Sequence, residues 1–299
     1  MTDESRILWE QKKERLLERM RKLAERNLCL AFSGGADSSL LLYLAVGAAR
    51  EKGTSVYALT FDTCLHPRGD IETAKTTAGK AGAFHRVIQV DELAELPEIR
   101  NNPPDRCYLC KKLLFQKALK EAAALGAETV IEGSNADDLG EYRPGLRAVR
   151  ELKIVSPLAD TGFTKEEVRR YAGELGIPTA RRPASPCMAT RLPYGARLDR
   201  EVLKRLDQAE NALKELGFSQ VRARLHGEIL RLEVEKGEII QAAEKAEKIL
   251  QILKKLGFSY ITLDLEGFRS GSMDRNVTPC AASGNAFPEA PAGRRELSR

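Results

Sequence analysis

Three groups of residues combine types and spacings that suit chemistry. The first is Ser33-Gly34-Gly35-Ala36-Asp37-Ser38-Ser39, directly after the apolar run LCLAF (28–32). Paired glycines let backbone approach an anion without a Cβ clash. The free N–H groups and dipole of a helix start favour phosphate. Ser33, Ser38 and Ser39 can add hydroxyl donors. Asp37 would repel bare phosphate, so its place there makes sense through Mg²⁺. An ordinary glycine-rich turn is the competing reading. The second group is Cys187 in RRPASPCMATRLPYG (181–195). Pro183, Pro186 and Pro193 restrict that loop. Arg181, Arg182 and Arg191, if close in space, would favour a thiolate. A thiolate attacks acyl adenylates readily, whereas a lone cysteine is more often a half-buried packing residue. The third is Cys107 and Cys110 in CYLCK. One CxxC supplies too few ligands for a closed zinc site. It can complete a site with Cys187 only if the fold brings them together.

Further polar residues fall into patterns. EGSNADDLGEYRPG (132–145) carries Gly133, Asp137, Asp138 and Arg143 after an apolar run. Lys165 and Arg169 lie in KEEVR, where a phosphate contact and a surface helix are equally open. Arg222, Arg224 and His226 alternate with Val221, Ala223 and Leu225. In a strand the first three share one face. They can bind a phosphate or simply face solvent, with Glu233 on a partner strand. Cys29 reads as core, Cys64 is open, and Cys280, His66 and His85 read as incidental.

The elements that must position these groups follow from the apolar pattern. Helices are expected over 5–26, 37–51, 70–81 and 106–125. Strands are expected over 28–32, 55–61, 84–90, 129–133 and 153–158. Apolar strands alternating with helices give a parallel sheet covered on both faces. Thr164 and Glu167 fit a capping box for a helix ending at Gly176, before Pro178. After the 181–195 loop the pattern changes to helix (198–218), hairpin (220–234, turning at His226–Glu228), helix (237–258) and strand (260–268). The expected fold class is α/β, a doubly wound mostly parallel sheet, plus a small C-terminal α+β domain. The expected division is 1–180, a linker loop at 181–197, a small domain at 198–273, and a tail without fold at 274–299.

Composition limits the function classes. The chain has 299 residues, 42% hydrophobic and 30% charged, enough for about two domains with a substantial core. A net charge of +5 suits an anionic ligand without indicating nucleic acid. The charged N-terminus lacks a signal-peptide apolar region. LLLYLAVGAA (40–49) is about half the length needed to cross a bilayer. Six irregularly spaced cysteines do not form a secreted disulfide pattern. A cytoplasmic protein with no membrane and no nucleic-acid partner is expected.

SGGADS after an apolar strand resembles the PP-loop motif of ATP pyrophosphatases. That resemblance implies ATP cleavage between the α and β phosphates and transfer of AMP to a substrate oxygen. It implies ATP contacts at Ser33, Gly34, Gly35, Asp37, Ser38, Ser39, Thr60 (in ALTFDT), Gly133 and Arg143, with Mg²⁺ at Asp37 and Asp137. CYLCK, RRPASPCMATRLPYG, VRARLHGEILRLE (221–233) and LDLEGFRSGSM (263–273) extend it. Together with SGGADS they resemble the LarE family, ATP-dependent sacrificial sulfur transferases of nickel-pincer nucleotide cofactor assembly. The resemblance covers all but the tail. It implies a small-molecule nucleotide substrate held by Arg191, Arg222, Arg224 and Glu233, Cys187 as catalytic sulfur donor, and a homo-oligomer. Some relatives carry three clustered cysteines that hold an iron–sulfur cluster. The loop has only Cys187, so the sacrificial form is expected and no cluster. Transfer-RNA thiolation and an ammonia-dependent ligase are the alternatives on the same ATP domain.

Overall fold

The protein is described here by a computed structural model. It describes residues 3–140, 143–269 and 272–273. Cys280 and the 274–299 segment lie outside them. The first half alternates helix and strand: α1 (Asp3–Leu23), β1 (Leu28–Ala31), α2 (Ala36–Lys52), β2 (Val56–Asp62), α3 (Arg68–Ala81), β3 (Phe84–Gln89), α4 (Glu92–Glu95), α5 (Arg106–Ala124) and β4 (Thr129–Ile131). Short helices α6 (Ala136–Leu139), α7 (Gly145–Glu151) and α8 (Pro157–Asp160) lead to α9 (Lys165–Glu174). The second half holds α10 (Arg200–Glu215), β5 (Val221–His226), β6 (Ile229–Val234), α11 (Ile239–Glu244), α12 (Ala246–Lys255) and β7 (Tyr260–Leu263).

The strands β3-β2-β1-β4 form an all-parallel sheet. Its apolar residues demand cover on both faces. One face packs against α1, α2, α3 and α9, the other against α5 and α7. Helix α2 is apolar all round, with Leu40, Leu41 and Leu42 fully buried. It is thus a core helix, as a short apolar run should be. No helix among the described residues is long and apolar enough to cross a membrane.

Helix α9 starts on the expected capping box, with Thr164 and Glu167 satisfying each other's backbone N–H groups. Gly176 follows its end at φ +66°. Two expectations need correction. The segment 153–158 forms no strand: Val155 makes a single parallel bridge to Ile131. Lys153 enters it at φ +54° and Pro157 opens α8, so extended backbone has no room to continue. The helix expected over 237–258 is broken at Lys245. There the Lys245 ammonium donates to the Leu216 carbonyl at 2.7 Å, tying the break to the end of α10.

The small sheet runs β5-β6-β7, antiparallel then parallel. The β5–β6 turn is Gly227-Glu228, with Gly227 at φ +61°. Its core also takes Leu65, Leu93 and Ile99 from the first half. Met188, Ala189, Leu192 and Leu198, within or beside the expected linker, are buried in the same core.

Candidate active site

The glycine loop joins β1 to α2. Gly35 caps α2 with no side-chain hydrogen bond, so no cap side chain competes for the first-turn N–H groups. Such a start suits an anion. Gly34 sits at φ +69°, and a Cβ there would lie 3.1 Å from the Ala74 backbone of α3. Both conformation and space require glycine. The Ser33 and Ser38 hydroxyls are 3.1 Å apart, and Ser38 also donates to the Gly35 carbonyl. The buried Ser39 hydroxyl has no hydrogen-bond partner among the described residues. Thr60, also buried, spends its hydroxyl on the Phe32 carbonyl and His85 Nε2.

The loop after β4 closes over this one. A Cβ on Gly133 would meet Ser38 N at 3.1 Å and Asp37 Cβ at 3.3 Å. Asn135 Nδ2 donates to Asp37 Oδ1 at 3.1 Å, and Lys165 Nζ pairs with Asp37 Oδ2. The Lys165 backbone N–H donates to Asp137. Lys165 therefore belongs to this constellation, while Arg169 is exposed. Arg143 pairs with Asp138 at 2.7 Å. Burial pushes the Asp138 carboxyl up, against the Asn135 N–H and Arg143. Asp37 and Asp137 are oxygen donors of the kind Mg²⁺ takes. Lys165 now fills the cationic place beside Asp37. Among the described residues no His, Cys, Asp or Glu group is arranged as a metal centre.

The thiol loop is pinned from two sides. Met188 N donates to Leu65 O at 2.7 Å. Arg191, 1% exposed, makes a two-pronged pair with Glu210 at 2.8 Å and donates to the Pro186 carbonyl at 3.0 Å. Arg222 donates to Ala184 O and Arg224 to Thr190 O, both at 2.8 Å. Three arginines expected at a substrate thus hold carbonyls of the thiol loop. Arg224 also pairs with Glu233, which is fully buried and accepts from Arg231 and Ser272 as well. Arg222 keeps one guanidinium N–H, at Nε, unpartnered among the described residues. Burial, with Arg191 and Arg224 nearby, lowers its pKa to about 10 despite Glu210. The shared face expected for Arg222 and Arg224 is buried, because 184–190 lies across it.

The charge at the thiol is not the one expected. Arg182 turns away to Gly34 O and Asp70. Arg106, buried at the start of α5, acts on Cys187, Cys107 and Cys110 together. Its Nη2 lies 3.5 Å from Cys107 Sγ. Asn102 fixes Arg106 from one side and donates to the carbonyls of Ala189, Leu192 and Pro193. The CxxC motif and Cys187 are thereby brought to one guanidinium, which the loop sequence alone does not reveal. Burial pushes the Cys187 thiol up, Arg106 opposes this, and Cys107 and Glu92 reinforce it. The condition set for a thiolate is thus not met by Arg182 and Arg191, whose guanidinium groups pair with Asp70 and Glu210. Glu92 is 1% exposed, and its Oε2 lacks a partner among the described residues. Burial likewise raises Cys64, to about 11, with Glu92 adding to it.

Sequence reasoning missed Asn102, Arg106, Glu92 and Asp70. The only signal at Asn102 was the turn-like NNPP, and the carbonyls it donates to lie 87 to 91 residues away.

Comparison with known proteins fits this geometry. A family model described as a PP-loop domain matches residues 8–95. An uncharacterized protein of Synechocystis is 38% identical over 83% of this chain and 92% of its own length. The pyridinium-3,5-bisthiocarboxylic acid mononucleotide synthase of Lactiplantibacillus plantarum is 35% identical over 85% of this chain and 91% of its own. An uncharacterized protein of Methanocaldococcus jannaschii is 30% identical, over 83% and 93% respectively. With an uncapped PP-loop at one end of the site and a clamped thiol loop at the other, the chain belongs to the LarE family of ATP-dependent sulfur transferases.

Proposed function

We propose that this protein uses ATP to activate a carboxylate of pyridinium-3,5-biscarboxylic acid mononucleotide and replaces the activated oxygen with sulfur from Cys187. The observation that carries the reading is the joint anchoring of the thiol loop: Arg182 ties it to the PP-loop, Arg222 and Arg224 tie it to the small sheet, and Arg191 ties it to Glu210 of α10. Residues 1–180 form the adenylating unit, 181–197 carry the sulfur, and 198–273 help hold substrate.

The chemistry runs in three steps. The substrate carboxylate oxygen attacks the α phosphorus of ATP, the α–β bridge breaks, and pyrophosphate leaves. The N–H groups at the start of α2, with Ser33, Ser38 and Ser39, hold the phosphates. Asp37 and Asp137 would hold Mg²⁺, which neutralises phosphate charge, with Lys165 displaced from Asp37. Next, Cys187 loses its thiol proton, sulfur attacks the acyl carbon, and AMP leaves. The thioester then breaks by elimination. The Cys187 Cα proton goes to a base, its electron pair forms Cα=Cβ, and the Cβ–S bond releases a thiocarboxylate. Dehydroalanine remains in the chain. The unpartnered Arg222 Nε–H supports a substrate phosphate near Ala184.

A second source of sulfur is favoured by one observation, the convergence of Cys107, Cys110 and Cys187 on Arg106. In that reading the three thiols, which are not arranged as a metal centre among the described residues, would close up to ligate an iron–sulfur cluster, which would supply the sulfur while the polypeptide keeps its cysteines. Thiolates suit such a cluster, and Arg106 offsets their charge. Intact-mass measurement after anaerobic incubation with ATP, Mg²⁺ and the biscarboxylate separates the two. Loss of one H₂S at Cys187 supports the sacrificial route. Thiocarboxylate product with unchanged polypeptide mass and bound iron supports the second. Neither pyrophosphate nor product would refute both.

A further inference from the structure

We infer that Arg182 is the positioning residue that holds Cys187 in register with the nucleotide loop. The inference rests on the proposed function and adds to it a residue that nothing else assigns. Arg182 Nη1 donates to Gly34 O at 3.1 Å, and Nη2 pairs with Asp70 Oδ1 at 2.7 Å. Ser185 Oγ donates to the same Asp70 oxygen at 3.2 Å. The pair is largely shielded, with side-chain exposures of 23% and 17%.

Asp70 is itself fixed relative to the loop. It lies in the first turn of α3. The Ala74 backbone, one turn further along α3, comes within 3.1 Å of where a Gly34 Cβ would stand. The planar guanidinium thus bridges two acceptors on closely packed elements, a task that arginine's fork meets fully and an ammonium only in part. Downstream, Arg222 and Arg224 of β5 hold Ala184 and Thr190, Arg191 within the loop holds Pro186, and Leu65 of the β2–α3 connection holds Met188. The β5 clamps orient the thiol relative to the small sheet. Arg182 and Ser185 provide the loop's side-chain ties to the PP-loop and α3. Cys187 lies five positions after Arg182, and extended chain of that length reaches at most about 18 Å. Without the Arg182 anchor the stretch leading into Cys187 keeps its ties to Leu65 and Asn102 but loses its fix on the PP-loop and α3, so the thiol's distance from the acyl adenylate is set less closely. A misplacement of about 1 Å can cost about a hundredfold in rate.

The test separates the two half-reactions. Substrate-dependent exchange of labelled pyrophosphate into ATP reads adenylation, and thiocarboxylate formation reads sulfur transfer. Arg182→Ala is expected to lower the ratio of transfer to exchange by at least about tenfold. Asp70→Asn should lower it in the same direction, and Arg182→Lys should recover part of it. Parallel loss of both rates, or an unchanged ratio, overturns the inference. If Arg182→Ala does not fold, the ratio in Asp70→Asn and Arg182→Lys decides. A wild-type protein with neither activity refutes the proposed function, and iodoacetamide labelling then tests the anchor alone. Cys187 should label several-fold faster in Arg182→Ala than in wild type, with Cys64 unchanged; equal Cys187 rates overturn the anchor.

Discussion

Arg191 and Glu210 form a two-pronged ion pair, both contacts at 2.8 Å, with side-chain exposures of 1% and 3%. Glu210 also accepts from the Ala223 N–H of β5, and Arg191 holds the Pro186 carbonyl. One buried pair thus joins α10, β5 and the residue before Cys187. Arg191 holds the Glu210 carboxyl low in spite of burial. Removing one partner leaves an uncompensated buried charge, which typically costs about 3–5 kcal/mol. Glu210→Ala should destabilise the protein by that amount in urea unfolding. A change under about 1 kcal/mol would mean the pair is not holding the loop.

Asp37 tests the nucleotide end. Its partner Lys165 is partly exposed and can turn to water, and the buried Asn135 keeps its cap on α6, so Asp37→Ala should leave the fold intact. Pyrophosphate release should fall at least about a hundredfold, the scale for losing a group that stabilises transition-state charge. Substantial remaining release would remove Asp37 from the metal role.

Gly34 tests the loop geometry. A side chain at φ +69° costs about 1–2 kcal/mol from conformation alone. The added Cβ would press on the Ala74 backbone. Gly34→Ala should therefore lower stability by at least that amount and weaken ATP binding. Calorimetric unfolding and nucleotide titration measure the two effects.

The thiol should respond to pH in a defined direction. Burial raises the Cys187 pKa, so the protonated form dominates at neutral pH. Its alkylation rate should climb as pH rises past the ordinary cysteine range near 8.5. Glu92 reinforces the upward shift, so Glu92→Gln should move the profile to lower pH. Arg106 opposes it, so Arg106→Met should move it higher. Opposite movements would show that these groups do not face the thiol.

Much of the fold was legible from local signals. The capping box at Thr164 and Glu167, the SGGADS turn and the β5–β6 hairpin are each written within a few consecutive residues. The strand expected at 153–158 failed because apolar content was read without the positive φ at Lys153. At the site, Cys187 and the glycine loop stood out by type. The contacts that orient them did not. Arg222 and Arg224 looked like a cationic strand face, yet a loop nearly 40 residues upstream covers it. Cys107 and Cys110 looked isolated until Asn102 and Arg106 linked their helix to the thiol loop. Such long-range pairings leave no periodicity to read.

The central claim is that ATP-dependent activation precedes sulfur transfer through Cys187, and the variant Cys187→Ala tests it most directly. Incubated with ATP, Mg²⁺ and the biscarboxylate mononucleotide, it should still exchange pyrophosphate into ATP but form no thiocarboxylate. Thiocarboxylate from Cys187→Ala at the wild-type rate would contradict the account.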